Sequence, residues 1–535
     1  MKEQAVSDKI CFVFNTNFAQ QNRFKRLRSR QTVRNRLSFL LLLLPFLATA
    51  RTTYNILDFG AVADSQTLNT TAIQAAIDRA HADGKGTVLI PKGVFLSGSL
   101  WLKSGVELHL QKGAVLLGST RRADYAKINW YALLLADGQS DIALSGEGVI
   151  DGQGAALAAN VVFLVKSGQL NDPYWAHDRP HERERPQLIE FARCKNLRVE
   201  GVTLRNSACW VQTYDRCDGL RIQRIRVESR AYWNNDGIDI VDSRNVLILD
   251  CYIDSADDGI CLKSSWPPAF CENIRVERCT IRSSASAFKL GTASKSGFRK
   301  VRVRDLVIYD TYRSAIALEI VDGGFIEDID IARIKAYHTG NAIFIRLGHR
   351  NQKGEAGRVK GIRIRDVFVE VPAGRPDQGY AFEGPEVTEP HNLFPSSISG
   401  LPGHPVKDVS LRNIHIRFAG GGRPAQAFLP LDSLDRVPER PSDYPEFSMF
   451  GELPAWGFYI RHAENVSMRN VRLECVQADY RPGIVADDVQ GLDFEKLDIK
   501  QAHEVPAVFL CRSGPANFKK SGGIKAVVAD KQGAE

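Results

Sequence analysis

No two of the ten cysteines stand in a Cys-x-x-Cys pair, which argues against a thiolate zinc site of the usual spacing. No phosphate-binding glycine loop or dinucleotide fingerprint follows a strand-like segment. The chain also lacks the run of roughly 20 apolar residues that a membrane helix needs, so stable membrane insertion is not expected. Net positive charge is scarce outside the first 50 residues. Of the formal net charge of +8, residues 1–50 hold +7, from nine Lys and Arg against Glu3 and Asp8. The rest is nearly neutral and offers no general attraction to nucleic acid.

What the first 50 residues do contain is a basic stretch, an apolar run from Leu37 to Leu47 and the small residues Ala48-Thr49-Ala50. That order reads as a secretory leader cleaved near Ala50, so the mature protein is expected to be secreted or periplasmic. The basic stretch is long for such a leader: either the leader is extended or translation starts downstream of Met1. Cys11 falls in the leader, and the remaining nine cysteines cannot all pair within one chain. Most are expected to be small buried hydrophobes, with room for one or two disulfides.

From about residue 190 a phrase recurs: a turn, a polar residue, then alternating apolar and polar positions. Its first apolar residues are Leu197, Leu220, Val246, Ile274, Val301, Ile329, Ile362, Val409, Val466 and Leu492. Period-two alternation argues strands, and repeats near one coil in length argue stacked coils sharing one core. The predicted fold is all-β, a right-handed parallel β-helix of the pectin-lyase-like solenoid type. An α-solenoid would need helical apolar spacing, and the asparagine consensus of a leucine-rich repeat is missing. Cys194, Cys217 and Cys271 each lie three residues before a marker, which predicts an internal ladder. Longer intervals place insertions at about 350–358, 373–405 and 418–458, where loops could wall a groove. Thr71 to Ala82 carries helical apolar spacing (Ile73, Ala76, Ile77, Ala80) and suits a helix capping the N-terminal end. The expected organisation is a leader over 1–50 and one β-helix domain over 51–535. Residues 51–190 would form the cap and first coils, and 191–535 the regular coils.

One pair of neighbouring coils interrupts its strands with acids: Asn234-Asn235-Asp236-Gly237, then Asp257-Asp258-Gly259. Asp236 and Asp257 are one coil apart in sequence, and coils stack roughly 4.8 Å apart. Three carboxylates would converge on one patch, provided the backbone turns at Asp257 and Asp258, which Gly259 would permit. Clustered acids repel, which raises at least one of them and leaves a proton donor beside ionised partners. Glycoside hydrolysis needs that pairing. The competing reading, that these aspartates merely close turns, suits one acid better than three.

The chain here resembles the polygalacturonases and rhamnogalacturonan hydrolases of glycoside hydrolase family 28. The likeness runs from Asp58–Ala61 through Thr71–Ile77 and Val88–Gly93 to Arg481-Pro482, and its specific part is Asn234-Asn235-Asp236 followed by Asp257-Asp258. The resemblance implies a right-handed β-helix that inverts anomeric configuration and needs no cofactor or metal. It implies that Asp257 is the general acid, that Asp236 and Asp258 hold and deprotonate water, and that Asn234 and Lys263 orient substrate. Ser286 stands where the family carries a histidine, and Ala317-Leu318-Glu319 stands where it carries an Arg-Ile-Lys motif for the substrate carboxylate. Lys289 and Arg346, in following coils, are candidates to restore that charge. The expected partner is a pectic polysaccharide, galacturonan or rhamnogalacturonan. His338 and His349 are not spaced as metal ligands, and Trp210, Tyr232 and Trp233 flank the acids either as sugar platforms or as core. Two rival functions share the fold: a Ca²⁺-dependent lyase and a non-catalytic glycan-binding helix.

Overall fold

The computed structural model describes residues 51–377, 380, 394–423, 429–500 and 505–529. The expected leader, with Cys11, lies outside the described residues. From Arg51 onward the chain forms one compact unit.

The repeat is realised residue by residue. Leu197, Leu220, Val246, Ile274, Val301, Ile329, Ile362, Val409, Val466 and Leu492 pair in register through ten parallel strands, all pointing into one core. The residue before each marker explains why the phrase opens on a polar or glycine position. Asn196, Gly219, Asn245, Asn273, Lys300, Asp328, Gly361, Asp408, Asn465 and Gly491 all have φ between 55 and 78°. That left-handed turn suits Asn, Asp and Gly, and only Lys300 departs from them. Asn273 also donates to Asn245 Oδ1 at 2.7 Å, so the turns bond to one another between coils.

The predicted cysteine ladder forms, with one interruption. Cys194, Cys217 and Cys271 are buried in line, and Ser243 occupies the rung between the last two. The Ser243 hydroxyl accepts from the Cys217 N–H at 2.7 Å and lies 3.0 Å from the Tyr214 carbonyl. Cys251 and Cys279 stack likewise on the next side of the coil. All nine described cysteines are free thiols, and the expected one or two disulfides are not formed.

Helix α1 (Thr70–Ala82) buries Ile73, Ala76, Ile77 and Ala80 and touches strands Thr52–Asn55, Gly86–Ile90 and Val106–Leu110. Helix α2 (Gly154–Lys166), which period-two alternation does not anticipate, follows the strand Val149–Asp151. The region 373–405 is not all loop: Ser396–Ser399 adds a strand to the third sheet face, hidden in the sequence because three of its four residues are serines.

That face borders the acid cluster. Its outward column runs Glu190, Thr213, Asp239, Cys261, Lys289, Ala317, Phe344, Ser397, Tyr459, Val485 and Phe509. The first five are polar or ionisable. From Ala317 on the column is largely apolar, and Ala317, Phe344, Tyr459, Val485 and Phe509 form a second hydrophobic cluster with Leu434, Val437, Phe447, Phe450 and Leu453. Residues 429–457, the part of the insertion between Gly420 and Phe458 that packs there, therefore cover the apolar half of the face, and on the polar half a cleft remains with Tyr444 at its edge.

Candidate active site

The open half is a cleft of about 530 Å³ lined by Asp236, Asp257, Asp258, Lys263 and Lys289, with Trp130, Trp210 and Trp266 on its walls. Asp236 precedes the strand Ile238–Val241 and Asp258 precedes Ile260–Ser264, so the two acids stack on adjacent coils with Ser286 above them. The stacking is tight at the glycines. A methyl group on Gly237 would lie 2.6 Å from the Gly259 carbonyl oxygen, and one on Gly259 2.7 Å from that of Ala287. Gly259 is therefore required for close approach between coils, and its φ lies outside the left-handed region.

Asn234, with φ 57°, turns the chain ahead of the first acid. Its side chain accepts from Arg185 at 2.7 Å and faces Asp257 Oδ2 at 3.4 Å. The neighbouring Asn235 is fully buried and pins the turn by accepting from Ser229 and Ala231 and donating to the Cys209 carbonyl.

The three acids differ in environment. Asp257 stands half-buried at the mouth, and burial together with the charge of Asp258 pushes its carboxyl above the usual range, against Arg313, Lys289 and Lys263. Asp258 is deeper. Burial pushes it up, but Lys289 at 3.1 Å, Lys263, Arg313 and the Ser286 N–H at 3.0 Å outweigh that and hold it ionised below the usual range. Asp236 is buried and displaced upward, an effect opposed by the Lys263 ammonium 2.8 Å away. Lys263 also bonds the buried Asp239, and despite the cost of burial the two carboxylates keep it firmly protonated. One oxygen each of Asp236 and Asp258 and the Cys261 sulfur lie within 4.8 Å of one another. That set could ligate a cation by type, but the Lys263 ammonium stands 3.3 Å from the sulfur and already brings positive charge there.

The sequence candidates thus converge, with one correction. Arg346 does not line the cleft. It is buried in the apolar half, donating to the Gly400 carbonyl at 3.1 Å and to the Glu439 and Arg440 carbonyls at 2.6 and 3.1 Å. Lys289 reaches the cleft but is already engaged, by Asp258, by Tyr444 Oη at 3.2 Å and by Glu319 at 3.8 Å. Trp210 lies under Lys263 Nζ, 4.5 Å from its ring centre, and packs on Trp130 at 4.8 Å. Tyr232 and Trp233 pack under Arg185 and Arg179. His338 faces Asp310 on the exposed surface, and His349 lies near the Lys353 carbonyl. Sequence reasoning missed Asp239, Arg313, Tyr444 and Glu446. Period-two alternation marks Asp239 as outward, which was a usable signal. Nothing in the sequence relates Tyr444 and Glu446 to coils more than 100 residues earlier.

The model of the glycosyl hydrolases family 28 matches residues 82–376, more than half of the chain. The chain belongs to this family. It is a glycoside hydrolase of the polygalacturonase type, and its acid cluster sits inside the matched region. A probable polygalacturonase of Vitis vinifera is 27% identical over 405 residues, 68% of this chain and 74% of that protein. Two solved structures show the same fold. An exopolygalacturonase from Thermotoga maritima has a TM-score of 0.56 at 23% identity, covering 68% of this chain and 87% of that one. A family 28 exopolygalacturonase of Yersinia enterocolitica has a TM-score of 0.56 at 19% identity, covering 88% and 78%. Among the described residues no helix is long and apolar enough to cross a membrane.

Proposed function

We propose that the protein is an exported hydrolase of pectic polysaccharide that cleaves with inversion, using Asp257 as the acid and Asp236 with Asp258 as the water-holding pair. The observation that carries this reading is the split environment of the cluster: Asp257 at the mouth shifted toward its protonated form, Asp258 behind it held ionised. The nearest oxygens of Asp236 and Asp258 lie within 4.8 Å, a gap one water can bridge with two hydrogen bonds of about 2.8 Å. Asp257 gives its proton to the glycosidic oxygen as the bond to the anomeric carbon breaks. Water attacks the opposite face and passes its proton to the pair, so the product leaves with inverted configuration. Asn234 and Lys263 orient the cluster, and Trp130, Trp210 and Trp266 give the cleft aromatic walls against which sugars can pack.

The covered half of the face bears on which pectin is cut. Ala317 is fully buried in the cluster beneath the insertion, and Glu319 beside it is acidic, so neither position can receive a galacturonate carboxylate as a basic pair would. Activity should therefore be greater on a mixed or terminal linkage, such as rhamnose-containing pectin, than on polygalacturonan. Product analysis after incubation with polygalacturonan, rhamnogalacturonan and neutral glycans tests both parts. Random, efficient cleavage of polygalacturonan would remove the specificity claim, and an unsaturated or retained-configuration product would remove the mechanism. Export is tested by the N-terminus of the secreted protein, expected near Arg51.

A further inference from the structure

The insertion between Gly420 and Phe458 does more than cover an apolar strip. It is clamped where it leaves the cluster: Arg346 donates to the Glu439 and Arg440 carbonyls, Arg461 donates to the Val437 carbonyl at 2.7 Å, and the His349 N–H donates to the Pro441 carbonyl at 2.7 Å. Phe447 and Phe450 anchor the far side in the hydrophobic cluster. Between these two anchorages the chain projects Tyr444 and Glu446 toward the acids. Tyr444 Oη lies 3.2 Å from Lys289 Nζ, and that ammonium lies 3.1 Å from Asp258. Glu446 Oε2 lies 2.9 Å from Arg313, a guanidinium with little exposure, and both Glu446 oxygens are shut off from water. Each of two cations that face the catalytic acids is thus held from outside the coils by one residue of the insertion.

We propose that Tyr444 and Glu446 are positioning residues of the catalytic cluster: Tyr444 fixes the lysine that holds Asp258, and Glu446 pairs with the arginine beside Asp257 so that its charge does not strip the acid of its proton. The inference rests on the acid role given to Asp257 above. The groups bearing on Asp257 are Asn234 and Asp236 from the preceding coil, Asp258 and Lys263 from its own, Lys289 and Arg313 from the following coils, Arg179 from the loop before the site, and Glu446 from the insertion. Removing the Glu446 charge leaves Arg313 unpaired and removes a repulsion, and both changes favour ionised Asp257.

The test is the pH profile of kcat for Glu446→Gln, Glu446→Asp and Tyr444→Phe on the substrate the wild-type enzyme cleaves, with thermal melting of each variant alongside. Glu446→Gln should move the alkaline limb down by about one pH unit, and Glu446→Asp should restore it. Tyr444 is exposed, so Tyr444→Phe should melt as the wild type does while kcat falls about tenfold at unchanged KM, the loss of one hydrogen bond to a charged partner. Profiles and kcat equal to wild type in folded variants would overturn the proposal. If Glu446→Gln does not fold, Tyr444→Phe alone decides. Asp257→Asn on the same substrate separates the two levels: activity in that variant refutes the acid assignment, whereas its inactivity beside unaltered insertion variants refutes only the positioning role.

Discussion

Asp257 and Asp258 are adjacent in sequence and opposite in state, and the difference comes from what each faces. Asp257 looks into the cleft with its carboxyl raised, while Asp258 looks back onto Lys289 and the Ser286 N–H. Asp257→Asn should lower kcat by about 10²–10⁴-fold, with KM little changed and substrates bearing good leaving groups partly spared. A proton donor is lost as pH rises through its own value, so with Asp257 as the proposed acid the alkaline limb of the wild-type profile should vanish from what activity the variant retains. Near-normal turnover by Asp257→Asn would refute the role. Glu319 gives a stability signature instead. Its burial pushes the carboxyl up to about 8 from an ordinary 4.5. A raised carboxyl stabilises the fold below its unfolded value, and that contribution is lost as pH rises through the folded one. Wild-type Tm should therefore decline between about pH 4.5 and 8 by an increment absent from Glu319→Gln, and parallel Tm curves for the two proteins would contradict this.

Among the elements, the ladder rung at Ser243 shows how a polar residue belongs in an apolar stack. Its hydroxyl bonds the Cys217 N–H and lies within hydrogen-bond distance of the Tyr214 carbonyl where the chain turns between strands. Ser243→Ala should cost about 1–3 kcal/mol by leaving those buried groups unmet, although it adds no bulk. A Tm equal to wild type would show that the turn relaxes to satisfy them. Helix α1 was readable from its four apolar positions, since residues at that spacing fall on one side of a helix and form a single stripe to bury. We propose that it also caps the open edge of the first coil. Truncation before Gly86 should then produce concentration-dependent association in light scattering, and a truncated chain that stays monomeric would remove that role. Helix α2 escaped because its sequence, apolar nearly all round, shows no alternation to test.

For the whole molecule, a core built from stacked rungs leaves thiols buried and unpaired, since each cysteine fills its rung as a small hydrophobe. Eight of the nine described thiols are buried and Cys475 is partly exposed. Native protein beginning at Arg51 should accordingly react at one equivalent with a thiol reagent and at the remainder only on denaturation, and such a protein with no reactive thiol would point to a pairing the fold does not show. The coil register was legible in advance because it is local and repeated: an Asn, Asp or Gly at a left-handed turn, then an inward apolar residue, in all but one of the ten copies. The convergence of the acids was legible for the same reason, since Asp236 and Asp257 are one coil apart and coils stack at a fixed spacing. Arg346 was misjudged and Glu446 unseen because alternation says only that a side chain points outward. Whether outward means solvent, cleft or the underside of an insertion depends on where a non-repeating segment comes to rest, and contacts such as Tyr444 with Lys289 span 155 residues. The sequence by itself therefore determined the solenoid, its register and the three acids. Only the tertiary structure decided which half of the outward face is open to substrate, because that rests on long-range packing of a segment with no period.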